Sequence, residues 1–551
     1  MDRNKRSSSA DKKRPLLSWP FLVIAFVVVA LIGWQFYKYK IINNGIAQAF
    51  TKKTNNLYSL HYDQIQLDEL KGTLQIKNIE ILADTTAHDK VASTFLRSLS
   101  IPQLNILRVK SPKALLSEQI EGGKIELLNP SIEIEMDNLP DASVSGLPNL
   151  PIYKELLGNF LKIKFDSILI SHANLRVRNS KTKMITYEAR NVSALLSDLL
   201  IDSASNRDSS RFLFSKNFDI TCEEFKFPTN DKQYRIYIDS VHFSSMKNAL
   251  RIGKIHIAPL LSEEVFVKTF RMDRFDFLLE DIQLLHINMN SLRNKQIEAD
   301  QLLINKSSFK IFWDLSYSSD TLTRKHKYPQ KQIQGLPISI LIRKAVILHS
   351  FVEYREQNPK SDSSGRLRFT QAHATITNIT NRIEDVSHNN KCTILFYAKL
   401  LNKVDVNAKV TLLLKQPNGN FTFEGNSKSI DARELNLLSV PMGMIRIEKG
   451  DIKKCQFNFA ANDSISDGKI LVLYNDLKIA PLKKNQNETK YSTKILASIA
   501  SNLIIRKSNP GNNETERRST VHFRWADSKS FLNVIWISIF IGIKETMGLK
   551  K

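Results

Sequence analysis

The sequence predicts a mainly β protein with minor α: an N-terminal transmembrane helix, then an elongated, curved antiparallel β-sheet groove with internal repeats and a few amphipathic helices. Three observations lead there. One uncharged run of membrane length lies near the N-terminus. Beyond it, apolar residues recur at period two in short pairs and triplets, the pattern of strands with one wet and one covered face. Glycine is scarce, at 18 of 551 residues, which argues against Gly-rich phosphate loops and Gly-repeat solenoids.

Residues 1–14 form a basic tail carrying Arg3, Lys5, Arg6, Lys12, Lys13 and Arg14, and residues 15–40 read as a transmembrane signal anchor. The uncharged run 19–37 would be about 28 Å long as a helix at about 1.5 Å per residue, which matches a hydrocarbon core. Trp19, Phe21, Leu22, Val23 and Ile24 open it, and Trp34 and Tyr37 close it like interfacial anchors. Fewer cations follow the run than precede it, so the N-terminus is expected in the cytoplasm and the chain from about residue 40 across the membrane. A cleaved signal peptide competes, because Ala47-Gln48-Ala49 has the small-x-small form, but that site lies well beyond the apolar run.

Residues 41–330 and 331–490 read as two β-rich regions. In YSLHYDQIQLDELKGTLQIKNIEI (58–81) the apolar pairs are Ile65 and Leu67, Leu74 and Ile76, Ile79 and Ile81. Further on, 161–179 gives Leu161, Ile163 and Phe165, then Ile168 and Ile170, then Ala173, Leu175 and Val177. Helical patterns are expected at 112–120, 153–162 and 493–505. FDSILISHANLRV from 165 resembles IRKAVILHSFVEY from 342, with a histidine at matching offset, and HIAPLL (256–261) resembles KIAPLK (478–483); one unit is expected to be used at least twice. Polar breaks at 202–210, 355–365, 384–391 and 507–519 read as exposed turns or loops between strands. Residues 491–551 hold an amphipathic helix, a loop and the apolar segment SFLNVIWISIFIGI. The 13 residues from Phe531 to Ile543 are too few for a comfortable span. As a helix this segment has a polar or small stripe through Asn533, Ser538 and Gly542, and it is expected to close the sheet's own core, with contact to a second membrane or a protein as the alternative.

The net charge of +24 suits nucleic acid, an anionic membrane or acidic glycolipid, and does not choose among them. No RNA or DNA motif is present, so no nucleic-acid partner is expected. Cys222, Cys392 and Cys455 are far apart, without zinc or redox spacing, and read as buried or half-buried thiols. There is no HExxH, GxSxG or GxxxxGK[ST], and His172 and His349 read as strand-surface residues. No enzyme activity, cofactor or metal is expected.

The basic anchor, YSLHYDQIQLDELKGTLQIKNIEI, LPISILIRKAVILHSFVEYRE leading through GRLRFTQAHATITNITN, the run from NFTFEGNSKSIDARELNLL to YNDLKIAPLKK, and the ending KSFLNVIWISIFIGIKETMG together resemble the AsmA-like envelope proteins found in Bacteroidetes. The resemblance covers most of the chain from about residue 55, with 200–330 matching loosely. It implies an inner-membrane anchor and a periplasmic β-rich groove related to those of TamB and the bridge-like lipid transfer proteins, with roles in phospholipid traffic and outer-membrane upkeep and possible envelope protein partners. The chain is short beside the long bridge-forming members.

The physical reading is parallel. Moving a two-chain lipid through water exposes roughly 30 methylenes at about 0.8 kcal/mol each, a barrier on the order of 20 kcal/mol. An apolar lining lowers it, and a curved sheet supplies one because every second side chain points inward. About 25 strands at about 4.8 Å each would give one unwound row of about 120 Å. Candidate lining residues are Ile168, Ile170, Ile340, Ile342, Leu367 and Phe369. The competing expectation is a non-catalytic envelope scaffold whose greasy face is closed by protein, since core burial produces the same alternation.

Overall fold

Leu74, Ile76, Ile79 and Ile81 are all buried, although Ile76 and Ile79 are out of step for a regular strand. The reason is Asn78, which lies between them with φ 51°. A left-handed residue inside a strand turns the chain over once, so that its neighbours at i−2 and i+1 stay on one face. The same jump takes Ile170 to Ala173 over His172, Leu279 to Ile282 over Asp281, Ile376 to Ile379 over Asn378, and Tyr474 to Leu477 over Asp476. Among the described residues eleven non-glycine strand positions have positive φ, and nine of them are Asn, Asp or His, the side chains that tolerate this region best. The paired spacing of apolar residues in the sequence is therefore the signature of kinked strands that keep one apolar face.

The computed structural model describes residues 45–54, 56–68, 70–88, 94–109, 119–136, 161–205, 208, 210–212, 214–317, 328–359, 361, 363–416, 418–484, 491–493, 506–525 and 530–548. The expected anchor, with Trp19, Phe21, Leu22, Val23, Ile24, Trp34 and Tyr37, lies outside them, as do most of the expected helices at 112–120, 153–162 and 493–505. Among the described residues no helix is long and apolar enough to cross a membrane.

The protein is mainly β, with its strands in one large mixed sheet. Two compact units divide it: residues to Phe227 with Val241–Met246, and Pro228–Ser240 with the chain from Lys247 onward. The first unit holds β1 (Tyr58–His61), β2 (Gln64–Asp68), β3 (Thr73–Ala83), β4 (Thr94–Leu107), β5 (Gln119–Leu128), β6 (Ser131–Met136), β7 (Lys162–Asn179), β8 (Ile185–Ile201) and β9 (Ser215–Pro228). After β10 (Tyr234–Ser244), whose residues the two units share, the second unit holds β11 (Ala249–Pro259), β12 (Arg274–Ile287), β13 (Gln296–Asn305), β14 (Ser307–Asp314), β15 (Ser339–Gln357) and β16 (Gly365–Thr380). There follow β17 (Lys391–Leu400), β18 (Val404–Leu413), β19 (Phe421–Ser427), β20 (Ile430–Asp431), β21 (Ile445–Ala461), β22 (Ile465–Lys484), β23 (Tyr491–Thr493) and β24 (Arg518–Arg524).

The expectation of a purely antiparallel sheet is corrected. β7 runs parallel to β5 and β6, and β15 parallel to β13 and β14. In each case the two shorter strands form one broken line antiparallel to a single long strand, β4 or β12. The chain between β6 and β7, and between β14 and β15, exceeds the dozen or so residues that a parallel crossover needs. Both units use this arrangement, displaced by 177 residues in each strand, from Gln119 to Gln296 and from its partner Lys162 to Ser339. That displacement carries His172 onto His349; each has positive φ, and their Nδ1 atoms sit 2.5 Å from Asn191 Oδ1 and 2.8 Å from Asn305 Oδ1. The histidines are kink residues of a repeated unit. A second correction concerns 384–391, expected as a turn: most of it belongs to the helix Ile383–His388.

Candidate functional site

In the second unit, register carries the apolar face from strand to strand without a break. One row runs Leu250, Leu284, Leu302, Ala345, Ile376, Ile394, Val410, Phe423, Phe459, Gly468, Val521, each residue the cross-strand partner of the next. Beside it runs Ile252, Ile282, Ile304, Ile347, Ala374, Phe396, Ala408, Gly425, Phe457, Ile470, Ser519. Paired residues share a face, so these rows form a stripe two residues wide across eleven strands. Ten strand spacings make it about 48 Å long. Neither row contains a charged residue, and the glycines are filled from beside: a Cβ on Gly425 would lie 2.6 Å from Phe457 Cζ, and one on Gly468 would overlap the Phe459 ring.

The stripe changes character along its length. From β11 to β18 only Ile282, Ile304 and Ala345 of its fourteen positions are buried, and the other eleven stay half-buried. From β19 to β24, Phe423, Phe459, Ile470 and Val521 are sealed. The helix Phe531–Thr546 accounts for part of that closure. Its inward side is the small and polar one: Ser538 Oγ donates to Ser466 Oγ at 2.9 Å, Ser519 and Thr546 hydroxyls pair at 2.9 Å, and Asn533 Nδ2 donates to the Tyr354 hydroxyl at 2.8 Å. A Cβ on Gly542 would overlap Ile470 and approach Val521 Cγ2 to 3.0 Å, so glycine lets the helix lie close on β22 and β24. Its other side carries a ridge of Leu532, Trp536, Phe540 and Lys544 at helical spacing, with Leu532 42% exposed, the aromatic rings 5.9 Å apart and Lys544 Nζ 5.6 Å from the Phe540 ring centre. The stripe through Asn533, Ser538 and Gly542 seen in the sequence thus faces the sheet, as expected of a segment closing the core.

The first unit has the same design over fewer strands. Ile76, Leu104, Leu127, Ile170, Ala194 and Ile220 are successive partners, as are Leu74, Ile106, Ile125, Ile168, Leu196 and Phe218. Ile168 and Ile170 therefore sit in the rows, half-buried against the buried cluster of this unit. In the second unit Ile342 lies between Ala299 and Ile379, and the Asn378 kink keeps Ile379 with Ile376, so Ile340 and Ile342 extend the stripe along β15. Leu367 and Phe369 pair with Tyr354 and Val352, and the Phe369 ring meets Phe396 edge-on at 5.7 Å. The structure brings the first two residues together in one unit and the other four in the other. Sequence reading missed Phe396, Phe423, Phe457 and Phe459, because cross-strand register is not written in any one strand.

Titratable groups avoid the stripe. Glu188, on β8, is buried; burial alone would raise its carboxyl, but hydrogen bonds from Lys226, Arg190 and Arg176 outweigh that and hold it down at about 2. Cys222, Cys392 and Cys455 are unpaired thiols, buried or half-buried as expected, and burial pushes Cys392 up to about 11. Among the described residues no group of His, Cys, Asp or Glu has the makings of a metal site. What this arrangement offers chemically is an uncharged, partly open apolar surface. No family model and no curated protein matches the chain.

Proposed function

We propose that this protein is a membrane-anchored envelope protein of the AsmA-like kind that binds or conducts phospholipid along the stripe of β11–β18, in support of outer-membrane upkeep. The observation that carries the reading is the unbroken pair of apolar rows, half-buried over seven strands and free of charge. A monomer seldom leaves so extended an apolar surface without a ligand. Covering half of a two-chain lipid's roughly 30 methylenes would recover on the order of 10 kcal/mol at about 0.8 kcal/mol each. In this reading the uncharged run 19–37 anchors the chain in the inner membrane, the N-terminus is cytoplasmic and the β units are periplasmic. The basic balance of the chain suits an anionic bilayer. Native mass spectrometry of the full chain tests it: the wild type should carry phospholipid-mass adducts, and the double variant Ile347→Asp, Ala408→Asp should lose them. A wild type that leaves detergent bare would contradict it.

One observation favours a second reading, a scaffold with a closed core: the helix Phe531–Thr546 lies on the last strands of the stripe. In that case the Asp double variant would unfold the protein without changing any bound mass.

A further inference from the structure

The opposite face of β15–β22 is hollowed into an open trough of about 930 Å³. Most of its lining residues alternate with the stripe, and one line across it reads Tyr397, Asn407, Asn426, Gln456, Leu471, Arg518, each the partner of the next. Asparagine is disfavoured in strands, yet three amides stand in register on three adjacent ones. Asn407, Asn426 and Gln456 are exposed, and among the described residues their side-chain amides have no hydrogen-bond partner. Asn458 stands beside them, its Nδ2 donating to Glu424 Oε2 at 3.3 Å. At one end the ladder meets a platform: the Tyr397 ring stacks on His373 with centres 6.1 Å apart, and the Tyr397 hydroxyl is tied to Asp405 Oδ1 at 2.9 Å. Leu395, 51% exposed, lies in the next line.

Chemistry narrows the occupant. An added peptide strand needs an open sheet edge, and these strands are paired on both sides. A polyanion would meet Glu424 and Asp467 in the trough, and of its three cations, Lys409, Lys469 and Arg518, Lys409 is already 3.3 Å from Glu424 and Arg518 3.5 Å from Glu516. An acyl chain would strip water from the amides without replacing its hydrogen bonds. Sugar hydroxyls need donors and acceptors together, which an amide supplies from one side chain, and the C–H faces of a pyranose pack on aromatic rings. Strands about 4.8 Å apart present one amide at each step, a spacing close to the length of one sugar unit. We propose that this trough binds an uncharged linear oligosaccharide lying across the strands. The proposal is independent of the lipid reading, which concerns the other face.

The full chain, kept in a sugar-free detergent, is titrated with chitohexaose and with maltohexaose by saturation-transfer NMR and calorimetry. At least one should bind saturably. The triple variant Asn407→Thr, Asn426→Thr, Gln456→Thr, built from a residue strands favour, should weaken that binding at least tenfold with an unchanged circular dichroism spectrum. Asn426→Thr alone serves if the triple variant misfolds, with a loss of at least threefold. Lys310→Ala, on β14 and outside the trough, should change affinity less than twofold. Absence of binding by both sugars, indifference to the Thr substitutions, or an equal loss with Lys310→Ala would each overturn the proposal.

Discussion

β3–β6 of the first unit and β11–β18 of the second are built on one plan and finished differently. Both contain kinked strands, β3 in the first and β12, β15 and β16 in the second, and both carry an apolar face by register. In β3 and β4, Ile76, Ile79, Ile81, Ile101, Leu104 and Ile106 are 0% exposed, and Phe50 of the helix Gly45–Lys53 joins their cluster. In β11–β18 the equivalent face keeps eleven of fourteen positions half-buried. Apolar alternation therefore specifies a face, and what lies on that face decides between core and surface.

Substitutions should separate the regions most sharply where burial is complete. Ile79→Ala and Ile101→Ala should each cost about 2–5 kcal/mol in denaturant unfolding, whereas Ile347→Ala and Ile394→Ala in the stripe should cost about 1 kcal/mol. Equal losses in the two regions would break the comparison. The covered end of the stripe is a third case. Gly542→Leu should force the helix Phe531–Thr546 off β22 and β24, costing about 1–3 kcal/mol and opening that helix to limited proteolysis.

Kinks should yield smaller effects. Asn78→Val and His349→Val place a β-branched residue at positive φ and should each cost about 1–2 kcal/mol, while the matching Gly variants should stay within about 0.5 kcal/mol of wild type. Thermal melts of the four variants check this, and Val variants as stable as Gly ones would remove the phase-jump explanation. A last prediction concerns pH and Glu188. Its folded carboxyl sits near 2, below the ordinary 4.5, so its contribution is fully present above about 4.5 and fades as pH falls towards 2. Glu188→Gln should flatten the pH dependence of stability in that window, and an unaltered slope would contradict the assignment.

Much of the fold was legible in the sequence, for physical reasons that particular residues show. The period-two pairs gave the strands, and the likeness of 165–177 to 342–354 marked the repeat that the structure places in β7 and β15. The gaps between pairs carried more than alternation alone conveys: three-residue jumps such as Ile76 to Ile79 hold an Asn, Asp or His at the left-handed position. The parallel pairing of β13 with β15 was not legible, since strand direction depends on where a long connection returns. The aromatic part of the stripe was missed for a related reason. Phe396, Phe423 and Phe459 come from three strands that only register brings into line.

The proposal that the half-buried stripe holds acyl chains is tested most directly by photocrosslinking of the full chain mixed with phospholipid vesicles. Benzoylphenylalanine at Ile347, Ala374 or Phe396 should trap phospholipid by its acyl chains, and the same probe at Thr375 or Lys409 on the other face should not. Lipid adducts absent from the stripe positions, or equal on the two faces, would contradict the account.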